Sequence, residues 1–331
     1  MKKLLIATTA LVAGASAAAA DVTISGYGRF GLQYIEDRGV TPGSGIAGTE
    51  EETQIAGRLR LNIDATTETD VGVTFGARLR LQNDLGNDTT VGNKARFSVG
   101  YEGLTVQVGN VDTAWDSVRL TYDSEMGFDD SSFGDAQNGF FAYNSKGADS
   151  NQNSNYAGVA AFYSIADVNL YFSYVDPDQT AKDLSIVPGL LANDEEIGLA
   201  ADWSNGQISV AAGINLSSQG IKDNDDYFIG AAYNFGDGNV GLNYYDYNTA
   251  AGGVSDSTQV TLYGNYTFGA TTLKAYVSDW DRAGYDTAYG IGADYSLGEG
   301  ARISGSIQSG FGDAAGANNG TKADLGVRFD F

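Results

Sequence analysis

Residues 54–64, QIAGRLRLNID, set Ile55, Leu59, Leu61 and Ile63 on one side of the chain and Gln54, Arg58, Arg60, Asn62 and Asp64 on the other. Strict period-2 alternation marks a strand with one apolar and one polar face. The same pattern holds on both sides of this stretch. Val71 to Gln82 places Val73, Phe75, Ala77, Leu79 and Leu81 against Thr74, Arg78, Arg80 and Gln82, across an expected turn at Thr66 to Asp70. Upstream, Ile24, Phe30, Leu32 and Tyr34 oppose Thr23, Ser25, Tyr27, Arg29 and Gln33. Further strands are expected at 94–101, 104–110, 156–164, 168–175, 195–203, 207–215, 227–235, 239–246, 258–268, 271–280, 286–296, 300–309 and 323–331. Tight links such as Asn205-Gly206 and Gly269-Ala270 alternate with longer polar loops around 176–194, 216–226, 247–257 and 310–322.

About sixteen antiparallel strands of ~10 residues, with short turns at one end and long loops at the other, are the signature of a transmembrane β-barrel. Lipid offers backbone groups no partner, so a sheet crosses a bilayer only when closed on itself. Apolar faces ending in aromatics, such as Tyr101, Trp203, Tyr227, Phe235, Tyr266 and Tyr295, fit interfacial girdles. The final strand alternates Ala323, Leu325, Val327, Phe329 and Phe331 with Asp324, Gly326, Arg328 and Asp330. A soluble secreted sandwich or solenoid is the competing reading, because alternation there also puts one face on a core.

One segment refuses the pattern. Val111 to Asn155 carries Asp112, Asp116, Asp123, Glu125, Asp129, Asp130, Asp135 and Asp149 against Arg119 and Lys146, interleaved with Trp115, Phe128, Phe133, Phe140 and Phe141. So many aromatics argue against disorder, and a long loop in a compact domain asks for a functional explanation. The reading adopted is a loop, 111–155, folded into the bore.

Lys2 and Lys3, an apolar run from Leu4 to Val12 and Ala18-Ala19-Ala20 before Asp21 read as a signal peptide over 1–20, cleaved to leave a barrel over 21–331. The apolar run is shorter than the ~18 residues of a bilayer-spanning helix. The chain has 42 acidic residues against 19 basic ones, a net charge of −23, which disfavours nucleic acid as a partner. It contains neither cysteine nor histidine, so disulfide staples and every Ser-His or Cys-His nucleophile drop out, and the chain reads as no enzyme. Gly290-Ile-Gly-Ala-Asp294 lies inside an alternating strand with no helix to follow, unlike a nucleotide-binding fingerprint.

The stretches Gly26 to Tyr34, Gly109 to Trp115, Leu120 to Met126, Ser131 to Gln137, Tyr174 to Asp178, Ala288 to Asp294 and Gly326 to Phe331 together resemble the general diffusion porins of purple, alphaproteobacterial type. The resemblance spans the chain beyond the signal. It implies a sixteen-stranded homotrimeric channel in the outer membrane of a Gram-negative bacterium, contacting lipid and passing ions and small hydrophilic solutes. It also implies an inward third loop forming the constriction, some of whose carboxylates hold calcium; Asp123, Asp129 and Asp130 are the candidates. No EF-hand or nonapeptide spacing supports calcium independently. A solute-specific channel of the same fold, an outer-membrane hydrolase and an adhesive protein are the rival readings.

On the polar faces, Arg29, Arg58, Arg60, Arg78, Arg80 and Arg96 fall on successive early strands, and Arg328 lies on the last, which would close against the first. Like charges on strands ~4.8 Å apart need counter-charges. Asp112, Asp116, Glu125 and Asp135 of the long loop are expected to supply them, giving a transverse field across the bore. The bland alternative is local pairing, Arg60 with Asp64 for example.

Overall fold

A computed structural model describes residues 21–331 except 40–49, 87–88, 146–156, 178, 180–193, 249–255, 283 and 313–319. The expected signal peptide and the 146–155 end of the long loop lie outside the described residues.

The strand segments are β1 (Asp21–Ile35), β2 (Thr53–Glu68), β3 (Thr74–Asp84), β4 (Val91–Gly92), β5 (Arg96–Tyr101), β6 (Leu104–Gly109), β7 (Ala157–Ile165), β8 (Val168–Asp176) and β9 (Glu196–Ser204). They continue as β10 (Ile208–Leu216), β11 (Asp225–Asn234), β12 (Gly238–Asn248), β13 (Ser257–Phe268), β14 (Thr271–Trp280), β15 (Ala288–Gly298), β16 (Ala301–Ser309) and β17 (Thr321–Asp330). A four-residue helix, α1 (Ala114–Ser117), opens the long loop. Successive strands pair antiparallel, and β1 pairs with both β2 and β17, so the sheet closes. The stub β4 and strand β5 both pair with β3, forming one interrupted stave and giving a barrel of sixteen staves. At the seam the Gly26 N–H donates to the Phe331 carbonyl at 2.8 Å, and the Phe331 N–H to the Gly26 carbonyl at 3.0 Å. Closure leaves no unpaired edge to meet lipid.

Alternation sorts the side chains. Ile55 is 74% exposed on the outer face, while Arg29 on the inner face is 8% exposed. Outward-facing Ile24, Phe30, Leu59, Phe75, Leu262, Ile291 and Leu325 belong to an apolar wall that water would not tolerate but a bilayer requires. Tyr101, Tyr227, Phe235, Tyr266, Phe268 and Tyr295 are exposed near its strand ends. The buried apolar cluster lies inside. Trp115, Val118, Leu120, Met126 and Phe133 of the long loop pack against Phe228, Tyr245, Tyr247, Tyr263, Tyr276 and Trp280 of β11–β14 and against Phe311.

One boundary moves. β2 runs on to Glu68, and the β2–β3 turn is closed by the Gly72 N–H on the Thr69 carbonyl at 2.9 Å, later than the expected Thr66 to Asp70. Gly72, with φ at +82°, supplies the left-handed residue there.

Candidate functional site

The long loop runs out and back along one arc of the inner wall. Thr113 caps α1, its hydroxyl accepting from the Asp116 N–H at 3.3 Å and donating to the Phe141 carbonyl at 2.7 Å, which ties the outgoing limb to the returning one. Trp115 then inserts beside Phe228 and Tyr245, with ring centroids 6.2 and 6.4 Å away. Asn243 of β12 donates to the Leu120 carbonyl at 2.7 Å, and Lys274 of β14 to the Glu125 carbonyl at 3.3 Å. The far end is a small hairpin in which Met126 and Ser131 exchange backbone hydrogen bonds of 3.2 and 3.3 Å. The return limb is held by Gln308 at Ser131, Thr261 and Gln259 at residues 133–135, Tyr247 at Gln137 and Asp226 at Asn138. Finally Glu196, 1% exposed, accepts from the Phe141 and Gln219 N–H groups, both at 2.9 Å.

Glycines make room for this bed. A Cβ on Gly292 would lie 3.0 Å from Met126 Cβ, and one on Gly326 would lie 2.7 Å from Phe128 Cγ. The glycines of the Gly290-Ile-Gly-Ala-Asp294 stretch thus sit where the loop approaches the wall.

The contacts of β2 and β3 with the loop lie near its return end, where Arg80 donates to the Ser145 hydroxyl at 2.5 Å and lies over the Tyr143 ring. The inner faces of β2 and β3 are therefore left as the wall across from the docked limbs.

The arginines form a lateral row. Register places Arg302 opposite Arg328, Arg328 opposite Arg29 and Arg29 opposite Arg58, across β16, β17, β1 and β2. The hairpin tip docks on it. Asp129 bonds Arg29 at 2.6 Å, and Asp130 pairs with Arg302 at 2.7 Å and with Arg328. Asp112 pairs with Arg96. Strand carboxylates serve the others: Arg58 with Asp84, and Arg78 with both Asp64 oxygens at 2.6 and 3.0 Å. Asp64 therefore does not serve Arg60. Four residues along a strand are ~13 Å apart, whereas register sets Asp64 directly across from Arg78.

Of the loop carboxylates expected to face arginines, Asp112 alone is ion-paired with one among the described residues. Asp116 accepts from the Tyr122 hydroxyl at 2.5 Å, and Asp135 from Ser124 at 2.8 Å. The Glu125 side chain makes no ion pair among the described residues. These groups lie along the limbs, whereas the arginine row is reached by the tip. Burial in the bore, together with Asp135 and Asp130, pushes the Glu125 carboxyl up to about 9. Burial raises Asp135 to about 7 despite the Ser124 hydrogen bond, and it also raises Asp116 and Asp123. Of the residues considered for calcium, Asp129 and Asp130 are engaged by arginines, while Asp123 faces the Tyr263 hydroxyl at 3.4 Å. No group of three or more carboxylates able to hold a metal occurs among the described residues.

Sequence reasoning missed the buried carboxylates Glu196 and Asp226 and the half-buried Asp324, which hold loop backbone or loop amides from the wall. It also passed over Tyr245, Tyr263 and Tyr276, which together floor the loop. Their signal was available: aromatics on the polar face of alternating strands.

A closed antiparallel barrel with an apolar exterior and a charged bore lined by a docked loop is a transmembrane channel. Residues 7–315 match the family of Gram-negative porins, and the chain belongs to that family, whose barrels lie in the outer membrane. A porin of Fuscovulum blasticum is 60% identical over 314 residues, covering 94% of this chain and all of that protein. A porin of Rhodobacter capsulatus is 29% identical over 211 residues, 46% of this chain and 68% of its own length. A solved structure of an engineered Rhodopseudomonas blastica porin superposes with a TM-score of 0.80 at 59% identity, covering 94% of this chain and all of the other.

Proposed function

We propose that this porin is a passive, water-filled pathway for ions and small hydrophilic solutes, with no reaction and no energy input, and that charges across its bore set up a transverse field. The observation that carries this reading is the two-sidedness of the lumen. Arg58, Arg60, Arg78 and Arg80 line β2 and β3, while Asp116, Asp123, Glu125 and Asp135 lie on loop limbs bonded to the opposite arc. Such a field orders water and dipolar solutes and penalises apolar ones, and a narrow bore of lowered dielectric strengthens it.

The same reading makes segment 111–155 the constriction, residues 1–20 a cleaved signal and the assembly a homotrimer in outer-membrane lipid. The apolar outer face of the early strands, with Ile55, Leu59, Phe75 and Leu79, is offered as the contact between protomers. Purified protein in a planar bilayer tests it. Stepwise conductance with three equal sublevels, and a permeability ratio that shifts when bore charges are neutralised, are expected. A protein that inserts without conducting would overturn the proposal.

A further inference from the structure

Two of the strand-borne arginines differ from the rest. Arg29, Arg58, Arg78, Arg96, Arg302 and Arg328 each contact a carboxylate. Arg60 and Arg80 contact none among the described residues, yet both are tightly oriented. Arg60 Nε donates to Gln82 Oε1 at 2.9 Å, and Gln82, itself 2% exposed, is fixed by its own Nε2 on Asp84 at 3.0 Å. Arg80 Nε donates to Asn62 Oδ1 at 2.7 Å. The flat faces are covered too: the Arg60 guanidinium lies 5.1 Å from the Tyr27 ring centre and that of Arg80 lies 4.5 Å from Tyr143.

Each guanidinium is thus held at its Nε edge by a neutral amide and on its face by a ring. Apart from the Ser145 contact of Arg80, its terminal nitrogens are uncommitted, and none of these is sealed from water. Register sets Arg60 across from Gln82 and Asn62 across from Arg80, which makes the two arginines diagonal neighbours ~7–8 Å apart at the backbone. Two forks with fixed orientation, adjacent and with no carboxylate in direct contact among the described residues, match the geometry of a multivalent oxyanion.

We propose that Arg60 and Arg80 form a two-point subsite in the bore for small phosphate-type oxyanions, engaged by solutes in transit. Neutral tethers at Nε are what such a subsite needs, because a carboxylate there would cancel the charge the solute meets. The inference rests on the reading of the bore as a diffusion path.

The test titrates sodium pyrophosphate against the conductance of purified full-length protein in a planar bilayer at constant potassium chloride. Wild type should show saturable block. Arg60→Gln with Arg80→Gln should raise the half-blocking concentration at least tenfold, and Arg80→Lys, which keeps the charge but loses the fork, at least threefold. Arg58→Gln with Arg78→Gln removes the same formal charge from already paired positions, unmasks Asp84 and Asp64, and should shift it by no more than a third of the factor seen in the Arg60–Arg80 double variant. Equal shifts in the two double variants, or an effect linear in pyrophosphate with no saturation, would overturn the subsite and leave the diffusion reading intact. Failure of wild type to conduct would overturn both. Calorimetric binding of pyrophosphate by the detergent-solubilised protein, weakened at least threefold in Arg80→Lys, gives a readout that does not depend on insertion.

Discussion

Replacing Asp130 by Asn should release the tip of the inward loop while leaving the barrel closed. Asp130 is held by Arg302 at 2.7 Å and by Arg328, with Arg29 at 3.9 Å, all on adjacent strands. With ~4 Å between charge centres and an effective dielectric of ~20, each close pair is worth up to ~4 kcal/mol before desolvation is charged against it. Without the carboxylate, guanidinia on neighbouring strands ~4.8 Å apart repel one another with only Asp129 left at the tip. The side chains are roughly a fifth to a quarter exposed, so water returns part of that loss. Breaking one side of a fully buried pair costs ~3–5 kcal/mol, and ~2–3 kcal/mol is the scale expected at this exposure. Against RT that is a rise of ~30- to 150-fold in the population of the undocked tip, read by hydrogen exchange at the Met126 and Ser131 amides. Asp84→Asn is the control, since it strips Arg58 of its strand partner and leaves the ion pairs of the tip itself in place. Unchanged exchange at Met126 and Ser131 in Asp130→Asn, or the same rise in Asp84→Asn, would refute the argument that the arginine row anchors the tip.

Arg58→Ala combined with Arg78→Ala should raise the cation-to-anion permeability ratio severalfold and leave barrel assembly intact, because it unmasks Asp84 and Asp64 in the bore; reversal potentials across a salt gradient measure it. Cation preference should also climb with pH in two steps, as Asp135 ionises near about 7 and Glu125 near about 9, and Glu125→Gln should abolish the upper step. Both carboxyls have folded values above those of unfolded chains, so they stabilise loop docking fully below pH ~4 and lose that contribution as pH rises through about 7 and about 9. Proteolysis of the loop should accelerate over the same range. Gly292→Val should push Met126 off the wall at a cost of ~1–3 kcal/mol, and Met126→Ala in the same chain should restore much of the protection seen in loop proteolysis.

The barrel was legible in the sequence because each stave states its own two faces locally: β14 is observed over Thr271–Trp280, as the alternation alone places it. Partner choice among the charges was not legible, for a reason that can be located. It depends on hairpin register, and register depends on the centre of the turn. Centring the β2–β3 hairpin on Val71, as observed, pairs Asp64 with Arg78 and Arg58 with Asp84; centring it near Glu68 pairs neither. The contacts of the loop tip are harder still, since they join residues about a hundred or more positions apart, Asp129 to Arg29 and Asp130 to Arg302 and Arg328, and become adjacent only once the barrel has closed. The result is a division among like residues that composition cannot express. Carboxylates that reach an arginine become fasteners, their fields largely cancelled at short range. Those left along the limbs, with Arg60 and Arg80 across from them, present a charge that grows as Asp135 and Glu125 ionise through about 7 and about 9, and it is this charge that meets whatever passes through the bore. Selectivity should therefore be governed less by the total of acidic and basic residues than by the subset the register leaves unpaired.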